Sequence, residues 1–130
     1  MRIRFLLLPV LLGVLVLCNG CVLLLAGGAA AAGAGAVVYI DGELKDSEAA
    51  SLDRTRVATL AAFKDMRFGV VGDESTAFKQ TISVRTGSDK KIQVTLEKES
   101  STVTTIHIRV GVFGDETLSR QLLDRIKSHL

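Results

Sequence analysis

The two cysteines are the residues whose chemistry can be argued first. Cys18 and Cys21 are the only thiols in the 130-residue chain, and they lie in an apolar run without charged residues. Cys-x-x-Cys spacing can form a redox pair or half of a zinc site, but these need a strand–helix context or a second ligand pair. The other possibilities are acylation of one thiol, or two inert side chains in an uncleaved membrane anchor.

The residues before Cys21 have the layout of a secretory signal peptide. A basic start, Met1-Arg2-Ile3-Arg4, precedes the apolar run 5–17. The Gly20-Cys21 junction resembles a lipobox, where a bacterial signal peptidase cuts directly before a cysteine that carries diacylglycerol. The four lipobox positions are Leu17, Cys18, Asn19 and Gly20, of which Cys18 and Asn19 are unusual choices. We therefore predict a lipoprotein signal peptide over residues 1–20 and a lipidated Cys21.

Residues 22–40 continue the apolar composition but change its character. No residue from Phe5 to Ile40 carries a formal charge, and one spanning helix needs only about 20 residues. After Leu25 the sequence is mostly glycine and alanine, which contribute little transfer free energy. We predict that residues 21–40 form a tether that stays close to the bilayer, and a second membrane contact through small-residue helix packing is the alternative.

Charge argues against a nucleic-acid partner. Two of the 16 basic residues, Arg2 and Arg4, precede the apolar run, and the other 14 balance the 14 acidic residues, which all lie at Asp41 or later. A neutral domain with interspersed signs lacks the basic stripe that displaces counterions from nucleic acid.

The remaining residues contain few groups that catalyse reactions or bind metals. The histidines are His107 and His129. His107 lies on the polar side of a predicted strand. His129 lies near the end of the last predicted helix, where a favourable interaction with the helix dipole explains its presence. His107 is expected to be solvated. The spacing Gly111-x-x-Gly114 before a helix is a weak phosphate motif, and Asp115 next to it would repel an anion. We predict no metal, no cofactor and no catalytic residue.

The segment 41–130 has the patterning of a single α+β domain. Val38, Ile40 and Leu44 alternate with polar residues as in a first strand. A helix with an apolar stripe of Val57, Leu60 and Phe63 follows Ser51, and Gly69 opens the next strand. Three further alternations predict three strands, with inward residues Phe78, Ile82, Val84; Ile92, Val94, Leu96; and Ile106, Ile108, Val110, Val112. Gly114-Asp115-Glu116 begins a last helix with the stripe Leu118, Leu122, Ile126 and Leu130.

This order is β-α-β-β-β-β-α, which predicts an antiparallel sheet with both helices on one face. The opposite face would then be polar. Its candidate binding residues are Arg85, Gln93, His107 and Arg109, which could receive a glycan or a protein partner. An ordinary solvated sheet face is the plainer interpretation.

Several stretches resemble a known family. They are Val37-Val38-Tyr39-Ile40-Asp41-Gly42-Glu43-Leu44 after the Gly/Ala tract, the first-helix residues Ser51-Leu52-Asp53 and Ala58-Thr59-Leu60-Ala61-Ala62, and Ile108-Arg109-Val110-Gly111-Val112-Phe113-Gly114-Asp115-Glu116-Thr117-Leu118-Ser119. They are similar to the small bacterial lipoproteins of the domain-of-unknown-function 3568 family. The resemblance spans nearly the whole chain and implies an envelope lipoprotein without an assigned activity. Members often carry an aromatic residue where Arg56 stands here.

The sequence therefore predicts a lipid-anchored protein of the bacterial cell envelope whose domain is a binding or structural module. Because Val22, and not aspartate, follows Cys21, we expect the outer membrane, with the domain facing the periplasm. The expected partners are membrane lipid through acylated Cys21 and an envelope protein or glycan. The alternatives are an envelope enzyme and a bitopic protein with an uncleaved N-terminal anchor.

Overall fold

The computed structural model describes residues 36–130. The strands are β1 (Val38–Ile40), β2 (Glu43–Glu48), β3 (Gly69–Ser75), β4 (Lys79–Arg85), β5 (Lys91–Lys98) and β6 (Thr104–Val110), and the helices are α1 (Leu52–Asp65) and α2 (Glu116–Lys127). The α+β class and the predicted order of strands and helices are confirmed. One detail differs, because the first predicted strand is a hairpin of β1 and β2.

All six strands pair antiparallel in one sheet of order β1-β2-β6-β5-β4-β3. Strands β3 to β6 form a meander, and β2 adds to its free edge beside β6. Helix α1 connects β2 to β3, which lies on the opposite edge of the sheet, so the chain crosses the sheet at this point.

Both helices pack on one face of the sheet, as predicted. The alternating apolar residues of the strands are buried there against both helices. The core contains Leu44, Ile82, Val84, Ile92, Val94, Leu96, Ile106, Ile108 and Val110 from the sheet, with Ala58, Ala62, Phe63, Leu122, Leu123 and Ile126 from the helices. We call the opposite surface of the sheet the open face.

The turn between β1 and β2 reverses the predicted orientation of the first strand. Asp41 and Gly42 both have positive φ, 52° and 80°, as a two-residue hairpin turn requires. Ile40 pairs directly with Glu43, so both lie on the open face, and Ile40 is 62% exposed. Tyr39 instead packs against the core. The predicted inward placement of Val38 and Ile40 is therefore wrong.

Three other residues predicted to be buried are exposed. Val57 lies outside the buried stripe of α1, which consists of Leu52, Thr55, Ala58, Thr59, Ala62 and Phe63. The two threonine hydroxyls donate to the carbonyls of Ser51 and Thr55, four residues earlier, so they can be buried without losing hydrogen bonds. Phe78 and Val112 lie just outside β4 and β6, where the inward alternation has ended.

Candidate functional site

The open face presents polar side chains in cross-strand rows. In one row Glu43, Arg109, Gln93 and Ser83 are direct register partners on β2, β6, β5 and β4. The adjacent row contains Lys45, His107, Thr95 and Thr81. Side chains directly opposite on neighbouring strands lie close enough to interact, so the rows bring together residues that are far apart in sequence.

A basic hollow of about 400 Å³ lies where β5 begins and β6 ends. This basic hollow is lined by Lys90, Lys91, Gln93, Arg109, Gly111 and Val112. The ammonium of Lys90 lies 2.9 Å from a carboxylate oxygen of Asp115. Within residues 36–130, neither Lys91 nor Arg109 forms an ion pair, and the Arg109 guanidinium donates only to the Val112 carbonyl, at 3.4 Å. Two cations without a paired carboxylate therefore line one hollow beside an amide.

The structure brings two of the four predicted binding residues into this hollow. Gln93 and Arg109 are direct partners across β5 and β6 and line it together. His107 lies one row away, on the same strand as Arg109. Arg85 is opposite Lys91 in the sheet, but its guanidinium binds the Asp89 carboxylate at 2.8 Å and does not line the hollow.

His107 is held between two carboxylates and is less exposed than expected. Its side chain is only 16% exposed, with Nδ1 2.8 Å from Glu43 Oε1 and Nε2 3.5 Å from Glu97 Oε2. The pKa of Glu97 is lowered, chiefly by its hydrogen bond from Lys79 and then by the charges of His107 and Lys79. This cluster links β2, β6, β5 and β4 across the open face.

Two hydroxyls on the strands beside His107 are hydrogen-bonded to other partners. Ser47 and Thr105 share a hydrogen bond of 3.1 Å, and Thr105 also donates to Glu99. In the described part of the chain no hydroxyl is hydrogen-bonded to His107. A nucleophile–base pair, the arrangement that covalent catalysis uses, is therefore not formed at this cluster.

The two lysines of the hollow were not among the binding residues predicted from the sequence. Lys90 and Lys91 follow the polar turn 86–89. The one signal that the sequence offers for them is two adjacent positive charges at the start of a strand. A second shallow hollow of about 400 Å³ shares Lys91 and Gln93 with the first. Its other lining residues are Gly72, Asp73, Glu74, Thr81 and Ser83. Lys91 and Gln93 therefore lie between the basic hollow and a neighbouring hollow that contains Asp73 and Glu74.

The start of α2 is occupied by a carboxylate, as the sequence predicted. Asp115 is the N-cap and accepts a hydrogen bond of 3.0 Å from the Leu118 amide. This amide, followed by the Lys90 ammonium, lowers the pKa of Asp115. A free phosphate at the same helix start would meet this negative charge.

A further polar pocket of about 510 Å³ lies at the other end of the sheet. It is lined by Ser51, Leu52, Asp53, Ser75, Thr76, Ala77, Gln80, Lys98 and Ser101. Gln80 is 5% exposed and was not singled out by the sequence, because it occupies an inward position of β4 that the alternation predicted to be apolar.

Several predictions fall on residues that the structure does not describe. Cys21 and the lipobox residues Leu17, Cys18, Asn19 and Gly20 lie outside residues 36–130, as does most of the predicted tether. Over residues 36–130, neither helix has the length and apolar character needed to cross a membrane. In the same range no three side chains of His, Cys, Asp or Glu group in a way that could hold a metal ion.

The fold and the open face define a small α+β domain with one helix-covered and one accessible sheet surface. The model of the family described as a protein of unknown function (DUF3568) matches residues 4–129. The chain therefore belongs to the domain-of-unknown-function 3568 family, as the resemblance implied. Comparison with curated proteins gives no match.

Proposed function

We propose that this protein is a lipid-anchored binding module of the bacterial cell envelope, and that its open face binds an anionic group in the basic hollow. The observation that carries the proposal is the pair of cations without ion-pair partners, Lys91 and Arg109, in one hollow beside Gln93. Arginine and lysine side chains with an adjacent amide are suited to phosphate and carboxylate groups.

The anchor is proposed from the N-terminal sequence. Basic residues 1–4, the apolar run 5–17 and the Gly20-Cys21 junction support export and acylation of Cys21. Acyl chains on a diacylglyceryl cysteine would give the stable attachment that one chain does not provide. Val22 at the next position supports the outer membrane, with the domain on the periplasmic side.

A binding role fits the open face better than catalysis. The one histidine on this face is held by Glu43 and near Glu97, and its hydrogen bond links strands. The hollow, in contrast, contains charges whose counter-ions would come from a ligand. An envelope glycan, protein or lipid with anionic groups would meet this requirement, and we propose no enzymatic activity and no nucleic-acid partner.

Fatty-acid labelling in cells tests the anchor. We expect Cys21→Ala to abolish labelling and to leave an unprocessed precursor. The matched control is Cys18→Ala, which removes the other thiol and should leave labelling intact. Labelling that persists in Cys21→Ala, or that is lost only in Cys18→Ala, would refute the anchor.

Lysine footprinting tests the hollow without assuming the ligand. An amine-acylating reagent is applied to intact envelopes and to the purified full chain. We expect Lys91 to react less in envelopes, whereas Lys98, exposed at the other end of β5, should react equally in both samples. Arg109→Glu should restore the reaction of Lys91 in envelopes. Equal reaction of Lys91 in both samples would show that the hollow is empty in the cell.

A further inference from the structure

The turn between β6 and α2 displays two large apolar side chains to solvent. Phe113 is 94% exposed and Val112 is 80% exposed, the two highest values among the exposed large apolar residues of the described chain. Leaving such a side chain in water forgoes roughly 1.5–3 kcal/mol of burial free energy. This cost suggests that the two side chains are covered when the protein is in its working environment.

The backbone fixes these two side chains in place. Gly111 and Gly114 on either side have φ of 66° and 83°, which side-chain-bearing residues rarely adopt. A Cβ at Gly42 would lie 2.7 Å from the Phe113 carbonyl oxygen, so the β1–β2 turn packs directly on this loop. Arg109 also donates to the Val112 carbonyl. The exposure of Val112 and Phe113 is therefore a property of a packed turn.

A third apolar side chain belongs to the same end of the sheet. Ile40 is 62% exposed and immediately precedes the turn that packs on Phe113. We call Ile40, Val112 and Phe113 the apolar tip. Val112 also lines the basic hollow, so the tip and the cations of the hollow are contiguous.

The charged groups near the tip favour an anionic partner. Lys90, Lys91 and Arg109 surround the hollow, and the carboxylate of Asp115 is already paired with Lys90. The carboxylate of Glu43 is engaged with His107, whose Nδ1 lies 2.8 Å from Glu43 Oε1. Asp41 lies in the β1–β2 turn. Glu116, next to Asp115, pairs with Arg120, and Lys91 also lines the hollow that contains Glu74.

We propose that the apolar tip enters the interfacial layer of an anionic phospholipid membrane while Lys91 and Arg109 bind the head-group phosphates. Apolar side chains at the water–lipid boundary with cations beside them are the arrangement that binds such surfaces. This inference rests on the proposed function and identifies the anionic group of the basic hollow as a lipid head group.

Two observations favour a membrane over a protein partner. Specific protein interfaces bury about 800 Å² on each side, far more than the three side chains of the tip provide. The tip also includes Ile40 of β1, which is the last residue of the uncharged segment 5–40. From a lipidated Cys21, residues 22–36 would span at most about 50 Å, so the domain would be confined near the bilayer.

Tryptophan fluorescence offers a direct test because the chain contains no tryptophan. The mature lipidated protein with Phe113→Trp is reconstituted into vesicles of phosphatidylglycerol and phosphatidylcholine. The matched control is Phe78→Trp, which replaces a phenylalanine that is 70% exposed and whose carbonyl bonds to the Lys98 amide at the far end of β5. Both sites are exposed, so neither change disturbs the core.

We expect the emission of Trp at position 113 to shift to the blue and to be quenched at least twofold by lipids brominated near the head group. Trp at position 78 should show neither effect. Adding Lys91→Glu and Arg109→Glu to Phe113→Trp should reduce the quenching to the level of the control.

Two outcomes would overturn the inference. In the first, position 113 is quenched no more than position 78; in the second, its emission shifts to the blue without quenching by brominated lipid. If Lys91 is nevertheless protected in envelopes, the proposed function stands and only the identity of the ligand is wrong. Equal labelling of Lys91 in both samples would refute the proposed function itself.

Discussion

At the scale of single residues, the group that most needs a counter-ion is a buried carboxylate on the helix-covered face of the sheet. The side chain of Asp46 is fully buried, and Lys127 Nζ lies 2.6 Å from its Oδ2 and 2.8 Å from Glu48 Oε1. Burial raises the pKa of Glu48, although Lys127 acts in the opposite direction. Burial alone would lower the pKa of Lys127, but hydrogen bonds and charge from the two carboxylates outweigh it and raise the pKa.

Replacing this lysine tests the importance of the buried carboxylate. Lys127→Met leaves Asp46 without its counter-ion, which should lower the free energy of unfolding by about 2–4 kcal/mol at pH 7. Urea unfolding of the full chain in detergent, followed by circular dichroism, measures the change. Lys98→Met, at an exposed lysine without an ion pair in residues 36–130, should cost less than about 0.5 kcal/mol. Equal losses in the two variants would contradict this account.

Two glycines offer a second residue-scale prediction. A Cβ at Gly114 would collide with the Cα of Gly42 and the hydroxyl of Tyr39, and its φ is 83°. A Cβ at Gly87 would meet nothing within 4 Å. Gly114→Ala should therefore lower the free energy of unfolding by about 2 kcal/mol or more, whereas Gly87→Ala should be close to neutral. Thermal unfolding compares them, and similar melting temperatures would be inconsistent with the packed turn.

At the scale of elements, the sequence predicts most of this fold because the local signals agree with each other. Strict alternation identified β4, β5 and β6, and Ser51 and Asp115 cap α1 and α2 where they were expected. The hairpin of β1 and β2 was missed although Asp41-Gly42 is a typical hairpin turn. Val38, Ile40 and Leu44 fitted one continuous alternation, and the reversal of orientation at the turn appears only when pairing is known.

An ion pair joins α1 to the edge strand β3. The guanidinium of Arg56 donates to both carboxylate oxygens of Asp73, and this hydrogen bonding lowers the pKa of Asp73 below its usual 3.8. A lowered carboxyl pKa contributes stability above the unfolded value, and this stability is lost as the pH falls through the folded value. Arg56 therefore connects a helix to the edge of the sheet.

The pH dependence of one substitution checks this connection. Asp73→Asn should lower the free energy of unfolding by about 0.5–1 kcal/mol at pH 7, because the pair is partly exposed. The difference between wild type and variant should shrink below pH 3.8, where the carboxylate is increasingly protonated. Urea unfolding at pH 7 and pH 3 measures both values, with Glu74→Gln on the same strand as the control. A difference that does not depend on pH would rule out the ion pair as its cause.

At the scale of the whole molecule, the sheet has one face for stability and one that is free to bind. The sequence predicted the polar open face and three of its central residues, Gln93, His107 and Arg109. It did not predict the basic hollow or the apolar tip. Lys91 and Arg109 become neighbours only through the register of β5 and β6, and Phe113 acquires its position only because Gly42 packs against its carbonyl. Such long-range placement is not encoded in any local pattern.

The proposed location of the whole molecule, at the outer membrane, depends on its N-terminal residues. The proposed position of the domain at a membrane surface rests on export of the chain and acylation of Cys21. A tethered domain then has a high effective concentration at the bilayer, so even a weak contact of the apolar tip would be occupied.

The intact mass of the protein isolated from bacterial membranes tests the central claim most directly. We expect a chain that begins at Cys21 and is heavier than residues 21–130 by a diacylglyceryl group, with or without a third acyl chain. A mass that corresponds to unmodified residues 1–130 would contradict it and would favour an uncleaved N-terminal anchor.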